Sequence, residues 1–329
     1  MVGQKMLALI DMQLRQAFPE KKDQPFGGRS IILIGDFGQL PPVLDDPMFL
    51  QTLRRSPLSN NEDQRHFRDI LLRLRDGETT MDDWKTLTTR FADSPDVDNC
   101  LFLDATSLLP RKVDVDEVNF NKLRSLNCPV AKVRAIHDLG GCEASRADSN
   151  MAKGLEACLL LARGARIMLR ANLWTEVGLV NGSMGTIQEI LFEEGKCPPF
   201  LPSAVLVEFD NYNSPSITTV ENKRLVPILP IRQTWESKSI VCSRLQFPIN
   251  LAWAITVHKS QGLTLPKAIV DLGEREYATG LSFVAISRVR SLKNILFHPF
   301  LFERLQRIRN STRLQNRKSE EERLVSLIT

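Results

Sequence analysis

The 329 residues are 43% hydrophobic and 25% charged, with a formal net charge of +4. This excludes disordered, collagen-like and strongly basic classes and leaves room for two globular cores. No run of about 18 apolar residues occurs, so neither a transmembrane helix nor a membrane partner is expected.

The opening MVGQKMLALIDMQLRQAF predicts an amphipathic helix with Met6, Ile10, Leu14 and Phe18 near one face. Ile31 to Ile34, between Ser30 and Gly35, reads as a strand buried on both faces, with Asp36 at its carboxyl end. Residues 62 to 92 read as two helices. The first ends at Gly77, and the second is capped by Thr79 or Thr80. A short strand is expected at Leu101 to Leu103, a helix near Asp114 to Leu126, and an exposed loop over 138 to 154. From Ala165 to about Val241 the texture is that of short strands and turns, with Asn181-Gly182 as a hairpin signal. That stretch predicts a small antiparallel β-barrel inserted in an α/β frame. The α/β texture then resumes with a helix-like stretch from Phe247 to Gly262, a strand at Ala268 to Leu272, a helix from Ser282 to Val289 and a strand at Ile295 to Phe297. The tail from Glu303 onward is charged and reads as one exposed helix or partial disorder. The six cysteines include no CxxC pair, which predicts reduced thiols, an intracellular compartment and no metal site.

Three segments carry chemistry. In GDFGQLPPV (Gly35 to Val43), Asp36 leaves a buried strand, where it can order a metal or water, and Gln39 can bond a terminal phosphate. In AITVHKSQGLTL (Ala254 to Leu265), His258, Lys259, Ser260, Gln261 and Thr264 gather donors beside Gly262, whose backbone can approach a phosphate closely. In VAISRVRS (Val284 to Ser291), the apolar residues pack while Arg288 and Arg290 project; a guanidinium aimed at a γ-phosphate stabilises charge in phosphoryl transfer. Taken singly, each segment also fits a capped strand end, a solvated turn or a surface arginine pair.

In this order, the three segments resemble motifs III, V and VI of Pif-type helicases of superfamily one, a group related to RecD-like motors and Helitron helicases. FRDILLRLRDGETTMDDW (Phe67 to Trp84), LFLDATSLLPRKVDVDEVN (Leu101 to Asn119) and GARIMLRANLWTEVGLVNGSMGTI (Gly164 to Ile187) also resemble that family. The resemblance runs from residue 1 to about residue 300. It implies an α/β fold: a partial first RecA-like lobe over 1–58, and a second RecA-like lobe over 59–164 and 247–302. It further implies an inserted SH3-like β-barrel over 165–246, followed by a charged tail over 303–329.

By position, Asp36 and Gln39 match the motif that senses the γ-phosphate, and Arg288 matches the arginine finger of motif VI. Gln39, Gln261, Arg288 and Arg55 are implied at the nucleotide; either Arg54 or Arg55 stands for the motif IV arginine. His258, Lys259, Ser260 and Thr264 match residues that hold DNA phosphates. ATP and Mg²⁺ are the implied cofactors. Single-stranded DNA and DNA junctions are the implied partners of a monomer that moves 5′ to 3′. DNA repair, recombination and telomere maintenance are the implied processes, in the nucleus or the mitochondrion.

Two departures qualify this. The 329 residues contain no GxxxxGK succeeded by Ser or Thr, and their opening resembles the residues just after the family's Asp-Glu motif, as in a chain truncated at its N-terminus. The stretch from Val43 to Glu62 is also shorter than the family's. The expectation is therefore a helicase fragment that alone hydrolyses ATP poorly. Its alternatives are a non-catalytic module that binds single strands and a transposon-derived relic.

Overall fold

The computed structural model describes residues 4–31, 62–212, 218–220 and 223–326. The expected strand from Ile31 lies almost wholly outside them, as do Asp36, Gln39, Arg54 and Arg55. The chain forms two compact units, Met1–Pro110 with Thr256–Thr329, and Arg111–Ile255.

In the first unit, three short apolar strands lie side by side in parallel register. Thr106–Leu109 pairs with Ala268–Val270, which pairs with Ile295–Phe297. Every residue of Ile295–Phe297 is buried, as a strand covered on both faces requires. Phe91, Phe297 and Phe300 stack at one end, with ring centroids 5.0 to 6.4 Å apart.

The helices Glu62–Arg75 and Met81–Thr88 meet across the expected turn. Gly77 takes the left-handed conformation that ends the first. Thr80 caps the second: its hydroxyl accepts from the Asp83 amide at 3.1 Å, and the Asp83 carboxylate accepts from the Thr80 amide at 2.9 Å. Asp83 also accepts a two-pronged contact from Arg73 at 2.6 and 2.8 Å, tying one helix to the other. Burial works to raise the pKa of Asp83, but these donors outweigh it and hold the carboxyl below the usual carboxylate range.

Several expectations need correction. Residues Asn99–Phe102 form a 3₁₀ turn, not a strand. The Asp98 carboxylate accepts from the Cys100 amide and starts the turn, so Phe102 is buried while Leu101 and Leu103 face outward. The charged tail is folded and docked: helix Phe302–Gln306, the 3₁₀ turn Arg307–Asn310 and helix Thr312–Val325 bury Arg304 and Leu305, Ile308, and Leu314 respectively. At Gly77 an added Cβ would sit 2.7 Å from the Leu314 side chain, so the absence of a side chain there lets the tail approach. Arg317 donates to Asp76 and Lys318 to Glu78, each at 2.6 Å.

The second unit starts at Arg111, well before the expected boundary at 165, because the segment 111–164 shares its core. Leu123, Val133 and Leu159 pack with Ile167, Val205 and Phe247. The strands run antiparallel in the order Ile249–Leu251, Arg166–Leu169, Met184–Leu191, Ala204–Phe209, Lys223–Ile228 and Thr218–Val220. A hairpin, Ile231–Ser237 with Ile240–Gln246, and the pair Ala131–Arg134 with Cys158–Leu161 complete it. These strands pair antiparallel, as the texture from Ala165 to Val241 predicts.

Within 138–154, the residues Gly141–Arg146 are helical, not loop. The stretch from Phe247 also departs from the helix expected. Ile249–Leu251 is a strand against Arg166–Leu169, Ala254–Thr256 is a second strand, and only Val257–Ser260 is helical. Pairing along this β-branched segment overrides its apparent helical texture.

Candidate nucleic-acid interface

The donors of Ala254 to Leu265 lie on one turn of helix, Val257–Ser260, and the bend after it. The Thr256 hydroxyl caps that turn, accepting from the Lys259 amide at 3.4 Å. Gly262 has φ +85°, a conformation in which any side chain would be strained, and its Cβ position faces open space. The bend thus leaves a bare stretch of backbone between Lys259 and Thr264. His258 and Thr264 are exposed, and Lys259 and Gln261 are half-buried. Partial desolvation lowers the His258 pKa from the ordinary imidazole value and so favours the neutral ring. Lys259 brings a positive charge to this bend.

Ser260 does not share that surface. It is fully buried, and its hydroxyl donates to the Val257 carbonyl at 2.8 Å. Its expected contact with a DNA phosphate is replaced by a structural role, because this one-turn helix turns its fourth side chain inward.

Arg288 does not project as expected either. It is 9% exposed, one residue beyond the helix Leu281–Ile286 and its closing Ser287. Its Nε donates to the Val284 carbonyl at 2.8 Å, and one terminal nitrogen donates to the Ser287 hydroxyl at 2.7 Å. The other reaches the carbonyls of Ser260 and Leu263, both at 3.3 Å. Its own carbonyl accepts from the Leu265 amide at 2.8 Å. Burial pulls its pKa below the ordinary guanidinium value, and these acceptors are what allow the charge to stay buried. Arg290, two residues on, is the exposed one. The structure thus joins the second and third motifs directly, while the first, with Asp36 and Gln39, is outside the described residues.

Glu276 and Arg304 hold the start of the helix that leads to Arg288, and no motif pointed to them. The Glu276 carboxylate accepts from the Ser282 amide at 3.1 Å and from the Ser282 hydroxyl at 2.5 Å, holding the first turn of helix Leu281–Ile286. Arg304 closes the set with a 3.0 Å ion pair to Glu276. The only hint in the sequence is an acidic residue shortly before a Ser-initiated apolar run.

The donors gathered here suit a phosphate backbone. Among the described residues no group of three or more His, Cys, Asp or Glu is placed to hold a metal ion. Likewise, no helix among the described residues is long and apolar enough to cross a membrane.

Residues 1–60 match the family described as PIF1-like helicase. The chain is 31% identical over 295 residues to the ATP-dependent DNA helicase PIF1 of Xenopus laevis, covering 83% of this chain and 41% of the relative. It is 27% identical over 354 residues to the ATP-dependent DNA helicase Pif1 of Psychrobacter sp. (strain PRwf-1), covering 90% and 51%. The chain thus spans about half the length, or less, of these relatives. Among solved structures it resembles the Pif1 helicase from Candida albicans, with a TM-score of 0.69 at 22% identity over 95% of this chain and 74% of that one. It also resembles a Bacteroides Pif1 helicase in complex with ADP-AlF3 and ssDNA, with a TM-score of 0.64 at 24% identity over 91% and 68%. At these identities the likeness is one of fold.

Proposed function

The chain belongs to the PIF1-like helicase family, and from that premise we propose that these residues form the single-strand grip of an ATP-dependent DNA helicase. Lys259 pairs with a backbone phosphate, His258 and Thr264 donate to the same strand, and Gly262 lets that strand lie close. The reading includes 5′-to-3′ movement and a working place at DNA junctions in repair, recombination and telomere maintenance, in the nucleus or mitochondrion. ATP and Mg²⁺ are cofactors of the whole helicase, and the 329 residues alone do not compose their site.

One observation carries the reading. Arg288 holds the carbonyls of Ser260 and Leu263, and its own carbonyl holds the Leu265 amide. A guanidinium that turned toward a γ-phosphate would have to release both carbonyls. The bend bearing Lys259 and Thr264 would then be free to shift its hold on DNA. Nucleotide state and strand grip would be linked through hydrogen bonds that cannot all be kept at once.

Anisotropy titrations of a labelled oligo(dT) test this. Binding should be clear at low salt and fall steeply as salt rises. Lys259→Ala should weaken it roughly tenfold, with a salt slope shallower by about 0.7, the share of one neutralised phosphate on a single strand. Absence of binding by the unsubstituted chain at low salt would remove the reading.

A further inference from the structure

The loop between strands Arg166–Leu169 and Met184–Leu191 holds an aromatic side chain out into water on a well-bonded frame. Trp174 and Leu179 exchange backbone hydrogen bonds at 3.1 and 3.0 Å. Gly178 turns the chain with φ +83°. The Asn181 amide donates to the Asn172 side chain at 2.8 Å, and the Ser183 hydroxyl donates to the Gly178 carbonyl at 2.7 Å. Leu179 anchors the loop in the core, whereas Trp174 is 53% exposed and Leu173 beside it 38%.

A single exposed aromatic is unremarkable on any protein surface. What sets this one apart is Arg170 at the base of the same loop. The guanidinium is half-buried, yet its one hydrogen bond among the described residues runs to Asn181 at 3.5 Å, and its Nε has no partner. Gly154 lets the chain pass close to Arg170: an added Cβ would come within 3.1 Å of the Arg170 backbone carbonyl. Burial pulls the guanidinium pKa down, with Glu156 opposing. Glu156 in turn already accepts from Asn250 at 3.1 Å. A desolvated cation with spare donors favours an anionic acceptor, and a bare indole favours a flat apolar ring. One nucleotide supplies both.

We propose that Trp174 and Arg170 form a second contact for single-stranded nucleic acid, with a base stacked on the indole and a neighbouring phosphate on the guanidinium. The proposal rests on the single-strand reading above and extends it to the second unit.

The test compares oligo(dT) with a strand of the same length carrying abasic sites, each titrated into the unsubstituted chain, Trp174→Ala and Trp174→Phe. Trp174→Ala should weaken oligo(dT) binding by roughly five- to 150-fold, the range for one stacked base. Trp174→Phe should stay within a few-fold of the unsubstituted chain, and the abasic strand should not distinguish the three. Independently, oligo(dT) should quench the indole emission of the unsubstituted chain, and Trp174→Phe should lose that quench. Unchanged oligo(dT) binding by Trp174→Ala, or a quench that survives in Trp174→Phe, overturns the proposal. If Lys259→Ala then still weakens binding, the reading of the grip survives alone. If the unsubstituted chain binds no oligo(dT), both fail. Unchanged binding with self-association that Trp174→Ala abolishes assigns the indole to a second copy of this chain.

Discussion

Replacing Arg304 with alanine is expected to destabilise the protein by about 3–5 kcal/mol, the usual cost of removing one partner from a buried ion pair. Arg304 is 4% exposed and Glu276 11%. Its Nε donates to the Gly273 carbonyl at 3.1 Å, and its terminal nitrogens donate to the Ser282 hydroxyl at 2.7 Å and to the carbonyls of Leu272 and Arg275 at 2.8 and 3.3 Å. Alanine would leave all of these acceptors, and a buried carboxylate, without a cation. Arg304→Lys should recover only part of the loss, since one ammonium cannot match a planar fork that serves acceptors on three sides. Arg304→Met with Glu276→Gln should fall closer to the unsubstituted protein than Arg304→Ala, because the unpaired charge is gone. Urea melts check the series; a loss below about 1 kcal/mol for Arg304→Ala would mean that the contacts are not held in solution. The functional consequence runs through Ser282, in the first turn of the helix that ends just before Arg288.

A comparable loss, again about 3–5 kcal/mol, is expected for Arg244→Met in the second unit. Arg244 is completely buried and donates to the carbonyls of Leu155, Ala144 and Ala147 at 2.7, 2.7 and 2.8 Å. It also lies over the Trp235 ring, 5.6 Å from its centroid. Methionine fills the volume but strands three buried carbonyls, each at about 1–3 kcal/mol. His137 supplies a second readout. Burial lowers its pKa, its hydrogen bond to the Ser243 carbonyl opposes this, and the Arg244 charge lowers it further. Removing that charge should move the His137 titration upward, measurable by NMR of the ring. A ring that titrates unchanged would mean that the two groups are not neighbours in solution.

These two arginines mark where the fold stops being legible in the sequence. An arginine in a polar-looking stretch reads as solvated, because that is its usual fate. What reverses it is a set of backbone carbonyls brought together by tertiary packing, and no local pattern records that. The tail misleads for the same reason. Its charge reads as solvation, whereas Gly77 opens a place for Leu314, and Arg317 and Lys318 find Asp76 and Glu78.

Local chemistry is legible wherever it is decided locally. The Thr80–Asp83 capping box, the Gly77 terminus and the strand Ile295–Phe297 arise from side chains a few positions apart. The site divides along the same line. Clustering of Lys259, Gln261 and Thr264 around Gly262 comes from spacing alone. The inward turn of Ser260 and the hold of Arg288 on two carbonyls come from packing between segments far apart in the chain.

In the proposed function, single-stranded DNA lies against the bend from Lys259 to Leu265. Hydrogen–deuterium exchange of those backbone amides, measured with and without saturating oligo(dT), addresses that contact directly. Exchange across Lys259 to Leu265 should slow when the strand is present, and Lys259→Ala should diminish the effect. Unchanged exchange at saturation, with protection appearing only elsewhere in the chain, would contradict the account.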